Sequence, residues 1–273
     1  MLQLGVHPNF QKSNPPVLAI GGHDPSGGAG IIADAQTLLA LGAWPLTLIT
    51  CLTAQNTKCI KQVNYQSVES FEQQLEVLLA DFTPAAIKLG VLGNLELQEI
   101  VAKLLQRYPQ IPLVLDPVLA STSGTSFSEP QLIEHLKQAI IPYCTIITPN
   151  LPELEQLMPG ETSVEYKAQQ LLNLGCKAVL VTGTPSKAKA VKNLLFTHSS
   201  SKPTVNRWKR LPDEYHGSGC TLASAIAALI ARGVALPTAS LKAQDFTWQS
   251  LEKALKLTDG QFLPLRLRDV NHA

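Results

Sequence analysis

Val17-Leu18-Ala19-Ile20-Gly21 runs into Gly22-His23-Asp24-Pro25-Ser26-Gly27-Gly28 and then into Ala29-Gly30-Ile31-Ile32-Ala33-Asp34, and this stretch decides the fold. Its first five residues carry no charge and read as a short strand buried on both faces. The glycine-rich run cannot continue that strand. Residues 29–41, stopped by Gly42, read as a helix. Strand, loop and helix in that order open a βαβ unit. The pattern recurs downstream. Strands are expected at 46–52, 86–89, 113–116, 144–147 and 178–181. Helices are expected at 68–81 behind Ser67, from Asn94 to about 108, at 129–141 and at 164–173. Strands alternating with helices predict an α/β fold, a mostly parallel central sheet with helices on both faces. Residues 60–65 alternate roughly and read as an edge or flap strand. Residues 199–202 read as a mobile loop.

Ligands of such sheets bind beyond the carboxyl ends of the strands. Residues 22–28, Gln55, Asp116, Asn150, Gly183 and the turn at 216–221 all fall there. In that turn, His216-Gly217-Ser218-Gly219-Cys220-Thr221, two glycines flank a serine, a thiol follows, and an apolar helix runs over 222–231. Glycine lets successive backbone N–H groups face one spot, and a helix start adds its unpaired N–H groups and positive dipole end. An anion site is expected, with Cys220 in a field that favours its thiolate. A plain glycine-rich helix start with a buried cysteine is the structural alternative.

Composition narrows the classes. The 273 residues are 45% hydrophobic, enough for a sizeable core. Lys plus Arg number 22 and Asp plus Glu 21, a net charge of +1, so neither nucleic acid nor an anionic membrane is an expected partner. Five cysteines at 51, 59, 144, 176 and 220 form no C-x-x-C pair, which argues against a disulfide framework or structural zinc and for a reducing cytoplasm. Residues 1–16 lack a signal peptide's basic start and apolar run, and 222–231 is too short to span a bilayer. The expected organisation is an extension over 1–16, one domain over 17–258 and a tail over 259–273.

Gly28-Ala29-Gly30-Ile31-Ile32-Ala33 matches a dinucleotide fingerprint, but a loop separates it from its strand and no acid follows at the required distance. There is no Walker lysine motif, G-x-S-x-G or H-E-x-x-H. Asn150-Leu151-Pro152-Glu153 has capping-box spacing. The same Asn and Glu, with Asp116 at a strand end, suit Mg²⁺, which keeps several waters and needs only one or two carboxylates. Gln55, in Thr53-Ala54-Gln55-Asn56-Thr57, offers a donor and an acceptor side by side, as the edge of an aminopyrimidine requires, although an ordinary loop amide is the simpler reading.

Together these segments resemble the hydroxymethylpyrimidine/phosphomethylpyrimidine kinases of thiamine biosynthesis, within the ribokinase-like superfamily. The resemblance rests on 22–30 with Asp34, 52–57, Ile87-Lys88-Leu89-Gly90, 114–118, 147–153 and 216–221, in the family's order. It implies a ribokinase-like three-layer α/β/α sandwich. It also implies transfer of a phosphoryl group from MgATP to 4-amino-5-hydroxymethyl-2-methylpyrimidine or its monophosphate, and a homodimer. Gly22, Ala29, Asp34, Gln55, Val91 and Val118 would surround the pyrimidine. Asp116, Asn150 and Glu153 would hold Mg²⁺ and phosphates. The amides of Gly217, Ser218 and Gly219 would form the anion hole, with Cys220 at the base position and Lys88 supporting from the sheet. Where the family carries Lys-Gly-Gly-His to meet ATP, this chain has Thr182-Gly183-Thr184-Pro185, so Lys187 or Lys189 is the expected substitute. His23, Val91 and residues 263–273 also depart from the family pattern. Pyridoxal kinase, which shares the loop and the Gly-Cys turn, is one alternative. A non-catalytic pyrimidine-binding regulator, suggested by Thr182, is another.

Overall fold

Along the inner strands, alternate residues feed two separate cores. Leu18, Ile20, Ile87, Leu89, Leu113 and Leu115 face one of them, and Val17, Ala19, Ala86 and Val114 face the other. Inner strands of this kind, whose one charged residue is Lys88 in the strand 86–89, are stable only with helices on both sides. The computed structural model describes residues 14–119, 129–183 and 190–267. In chain order the elements are β1 Pro16–His23, α1 Gly30–Ala40, β2 Trp44–Gln55, β3 Ile60–Tyr65, α2 Val68–Asp81, β4 Ala86–Leu89, α3 Leu95–Arg107 and β5 Leu113–Leu115. Then follow α4 Pro130–Ala139, a 3₁₀ turn Ile141–Tyr143, β6 Ile146–Ile147, α5 Leu151–Leu157, α6 Val164–Asn173, β7 Ala178–Val181, β8 Ala190–Thr197, β9 Ser200–Lys209, α7 Ser218–Ala231 and α8 Leu236–Glu252.

Among the described residues nine strands form one sheet in the order β3-β2-β1-β4-β5-β6-β7-β8-β9. The run from β2 to β7 is parallel, and β3, β8 and β9 add antiparallel edges. Helices α2 to α6 contribute to one core and α1, α7 and α8 to the other, giving the three-layer α/β/α sandwich. From β1 the chain moves one way to β2 and the other way to β4. The crevice of this switch therefore opens above Gly21–Gly22 and Gly90–Val91, where ligands of open α/β sheets bind.

Local signals fixed several ends. Ser67 accepts from Ser70 N and Asn94 from Leu97 N, so α2 and α3 start where their caps stand. Other expectations need correction. Helix α7 begins at Ser218, four residues before its apolar run, because Gly217 supplies the left-handed N-cap. Residues 199–202 are not a mobile loop: Thr197 pairs with Ser200 across a tight turn and β9 starts there. The β8–β9 hairpin escaped the sequence reading because β9, Ser-Ser-Lys-Pro-Thr-Val-Asn-Arg-Trp-Lys, is mostly polar and half exposed. Helix α8, with a polar outer face and Pro237 in its first turn, escaped it as well. The loop over 120–128 and Lys187 and Lys189 lie outside the described residues.

Candidate active site

The glycine loop after β1 folds back on itself. Gly30, at φ +58°, lies so close to the Gly22 carbonyl that a Cβ would fall on that oxygen. Asp24 organises the loop, accepting from Ser26 N (2.9 Å), Ser26 Oγ (2.9 Å) and Ala29 N (2.9 Å). Its Oδ2 also lies 2.7 Å from His216 Nε2, which itself lies 3.0 Å from the Gln55 amide nitrogen. A carboxylate only accepts, so Nε2 carries the proton toward Asp24. Burial pulls the Asp24 carboxyl upward, but the bonds from His216 and Ser26 prevail and hold it below its usual range. Thr53 Oγ1 lies 3.1 Å from Gln55 Oε1 and steadies that end of the amide, whereas His216 Nε2, with its proton toward Asp24, only touches the Gln55 nitrogen and accepts nothing from it. Gln55 and His216 then form one wall of a cavity of about 430 Å³, closed by the β2–β3 turn and by residues of the C-terminal segment. The rest of the expected pyrimidine set, Gly22, Ala29, Asp34, Val91 and Val118, does not line this cavity. Gly22 faces Val91, whose carbonyl accepts from Thr50 Oγ1 (2.6 Å). The Val118 N–H donates to the Asp116 carbonyl (2.8 Å).

Asp34 is fully buried, and both its oxygens are taken, Oδ2 by Lys88 Nζ (2.9 Å) and Oδ1 by Ser224 Oγ (2.7 Å). Lys88 is 1% exposed. Burial alone would lower its ammonium, but the charges of Asp34, Cys220 and Asp116 outweigh burial and raise it. A fully ionised lysine thus stands under the site, tied to Asp34 on one side.

The phosphate end is built on α7. Gly217, at φ +77°, packs so tightly on the Gly28 carbonyl that a Cβ would overlap that oxygen, so the turn and the glycine loop are in direct contact. At Gly219 a Cβ would stand 3.4 Å from Asp116 Oδ1 and 3.5 Å from Oδ2. The carboxylate is therefore seated against the start of α7. Asp116 is 4% exposed and its Oδ2 has no hydrogen-bond partner. Such an orphaned buried oxygen demands an explanation. Burial first, then the Asp34 charge, push the Asp116 carboxyl up to about 6 against the pull of Lys88. Glu153 is pushed up to about 8 by burial and by the Asp116 charge. The capping box is complete: Asn150 Oδ1 accepts from Glu153 N (2.8 Å) and Glu153 Oε2 from Asn150 N (2.9 Å).

The expected Cys220 thiolate is corrected. Desolvation, joined by the Asp116 and Asp34 charges, outweighs Lys88 and pushes the thiol up to about 12. Cys220 is a neutral thiol at rest. On the neighbouring strand end, Thr182 N donates to the Pro149 carbonyl (2.9 Å), and Gly183 N to Asn193 Oδ1 (3.2 Å). Among the described residues no group of three or more His, Cys, Asp or Glu gathers as a metal centre.

Sequence reasoning missed the part played by residues 255–266. Thr57 Oγ1 meets Thr258 Oγ1 (2.9 Å), Gln261 N donates to the Thr57 carbonyl (3.3 Å), and His216 N donates to the Phe262 carbonyl (2.9 Å). Arg266 is 2% exposed and donates to Thr221 Oγ1 (2.8 Å), Gln36 Oε1 (3.1 Å) and the carbonyls of Gly27 and Gly28. No periodicity or motif marks this segment in the sequence.

The family model for phosphomethylpyrimidine kinase matches residues 24–265. A hydroxymethylpyrimidine/phosphomethylpyrimidine kinase of Haemophilus influenzae is 32% identical over 251 residues, covering 89% of this chain and 93% of that protein. The crystal structure of phosphomethylpyrimidine kinase from Clostridium difficile superposes with a TM-score of 0.74 at 32% identity, over 86% of this chain and 98% of that one. A Bacillus subtilis pyridoxal kinase, solved as an ADP complex, gives a TM-score of 0.83 at 26% identity, over 94% of this chain and 100% of that one. The family model and these relatives span most of the chain, and the chain belongs to the phosphomethylpyrimidine kinase family.

Proposed function

We propose that the protein transfers the γ-phosphoryl group of MgATP to the hydroxymethyl oxygen of 4-amino-5-hydroxymethyl-2-methylpyrimidine, and in a second turnover to the resulting monophosphate, giving the pyrophosphate used in thiamine biosynthesis. One observation carries the reading: the orphaned Asp116 carboxylate is seated 3.4–3.5 Å from the Cβ position of Gly219, at the start of α7. A helix start favours phosphate, and a carboxylate beside it is tolerable only with a cation between them. Asp116 and Glu153 repel each other, and their donor set fits Mg²⁺ that keeps most of its waters, with Asn150 close by. When bound, Mg²⁺ would neutralise charge on the transferred phosphates.

The protein's own groups do the rest. The N–H groups of Gly217, Ser218 and Gly219 face the transferring group. Gln55, steadied by Thr53, offers the paired donor and acceptor that an aminopyrimidine edge matches. Phosphoryl transfer through a loose transition state needs little base early. The neutral Cys220 thiol therefore orients the alcohol oxygen, and the alcohol proton departs late toward the ionised Asp116 side. Thr182, Gly183 and Lys187 border the ATP phosphates in this reading. The reading includes a cytoplasmic setting, supported by five free cysteines, and a homodimer, supported by exposed Leu52 and Tyr65 on the β2–β3 edge. Among the described residues no helix is long and apolar enough to cross a membrane.

The test is a coupled MgATP turnover assay with the alcohol, its monophosphate and pyridoxal side by side. Turnover of either pyrimidine is expected to exceed that of pyridoxal and to fall about tenfold to a hundredfold in Cys220→Ala. Faster turnover of pyridoxal would transfer the assignment to the relatives solved as pyridoxal kinases. No turnover, with pyrimidine still bound, would make the protein a pyrimidine sensor.

A further inference from the structure

Arg266 is the most deeply buried cation in the protein that lacks an acid partner among the described residues. All its acceptors are neutral: the Thr221 hydroxyl, the Gln36 amide and two glycine carbonyls. Burying a guanidinium without a bonded carboxylate is costly, and burial pulls Arg266 down even though the charges of Asp34 and Asp24, which do not bond it, favour the cation. A fold tolerates such a group where its hydrogen bonds position something.

Its bonds say where. Thr221 stands in the first turn of α7, and its hydroxyl donates to the Gly217 carbonyl (2.8 Å) while accepting from Arg266 Nε. The Gly27 and Gly28 carbonyls belong to the glycine loop, and Gly28 is the residue on which Gly217 packs. One planar fork therefore grips both halves of the anion site from behind, a geometry that lysine's point charge cannot copy.

We infer that Arg266, from the segment after α8, is a positioning residue for phosphoryl transfer. It locks the glycine loop to the α7 turn and adds a fixed positive charge to the field that the transferring phosphoryl group meets. The inference rests on the kinase reading and names a part of that site outside the recognised motifs.

The experiment compares the full-length parent with Arg266→Ala, Arg266→Lys and Arg266→Gln. For Arg266→Ala, kcat should fall about a hundredfold, as when an oxyanion-hole donor is lost, while KM for the pyrimidine moves less than about threefold. Added guanidinium ion should restore at least about tenfold of that loss. Inorganic pyrophosphate, titrated calorimetrically without turnover, should bind the parent more tightly than Arg266→Ala. An unchanged kcat in a parent-like fold would overturn the inference, as would a loss that guanidinium does not restore in a variant that melts like the parent. Should the alanine variant not fold, the other two decide: Lys above Gln in kcat supports the charge, and equality or the reverse order overturns it. A parent that turns over no substrate instead overturns the kinase reading itself, and the pyrophosphate titration then tests Arg266 alone.

Discussion

The two sides of the first turn of α7 carry opposite and unbalanced charge. Against Gly219 stands buried Asp116, electrostatically linked to buried Glu153, and each carboxyl is pushed toward its neutral form by burial and by a neighbouring acid's charge. Against Thr221 stands a buried guanidinium with no acid partner among the described residues. Folding alone would favour neutralising both. In the proposed reading each side would be completed by one half of the same ligand, the cation on the acidic side and the phosphate on the basic side. The contrast separates binding from structural design: Asp34 and Lys88, equally buried, are matched to each other and need nothing from outside.

The comparison can be broken in three places. The largest effect is expected at the matched pair. Lys88→Met strands Asp34 without its cation and should cost about 3–5 kcal/mol of stability in denaturant titrations, as breaking a buried pair does. A loss under about 1 kcal/mol would mean that Lys88 is not the cation holding the acidic side together. Next comes Asp116→Asn, which keeps the shape and removes the charge. The kinase rate should fall about a hundredfold to a thousandfold, with thermal stability in metal-free buffer unchanged or improved. A rate within about threefold of the parent would remove Asp116 from the cation site.

The smallest effect is a pH trend. The folded values of about 6 for Asp116 and about 8 for Glu153 lie above the ordinary carboxylate range, so each group favours the folded state less once it must ionise. Below pH about 4 neither group matters. From there stability in metal-free buffer should decline as pH rises through 6 toward 8. Mg²⁺ should therefore raise the melting temperature more at pH 8 than at pH 6, and not at all in Asp116→Asn. An equal shift at both pH values would sever the link between those carboxyls and the metal.

Most of the sheet was legible because its inner strands are mostly apolar runs and its helices begin at side-chain caps. Helix α2 follows Ser67 and α6 follows Ser163, and neither boundary depends on anything distant. β9 and α8 were not legible. Their patterns are diluted by polar residues on an exposed edge and an exposed helix face. The motif residues Asp116, Asn150, Glu153 and Gln55 could be named because their segments resemble the family's motifs; by chemistry alone Gln55 reads as a loop amide and Asn150 with Glu153 also as a capping box. The state of Cys220 could not. Its protonation depends on Asp34 and Asp116, which lie 186 and 104 positions earlier in the chain and meet it only in the fold. Arg266 is the extreme case, an ordinary arginine in an unpatterned segment whose role exists only through what it touches.

The latch between Thr57 and residues 258–261 has a consequence for how the protein is made. The described strands and helices have all been synthesised once Glu252 is joined, yet the turn over the cavity then has nothing to close upon, and the glycine loop lacks the fork that grips it. A nascent chain at that stage holds a sheet without a working site. Catalytic competence arrives abruptly with the final stretch of synthesis, so a chain stalled or clipped after α8 would be folded in outline and silent in function.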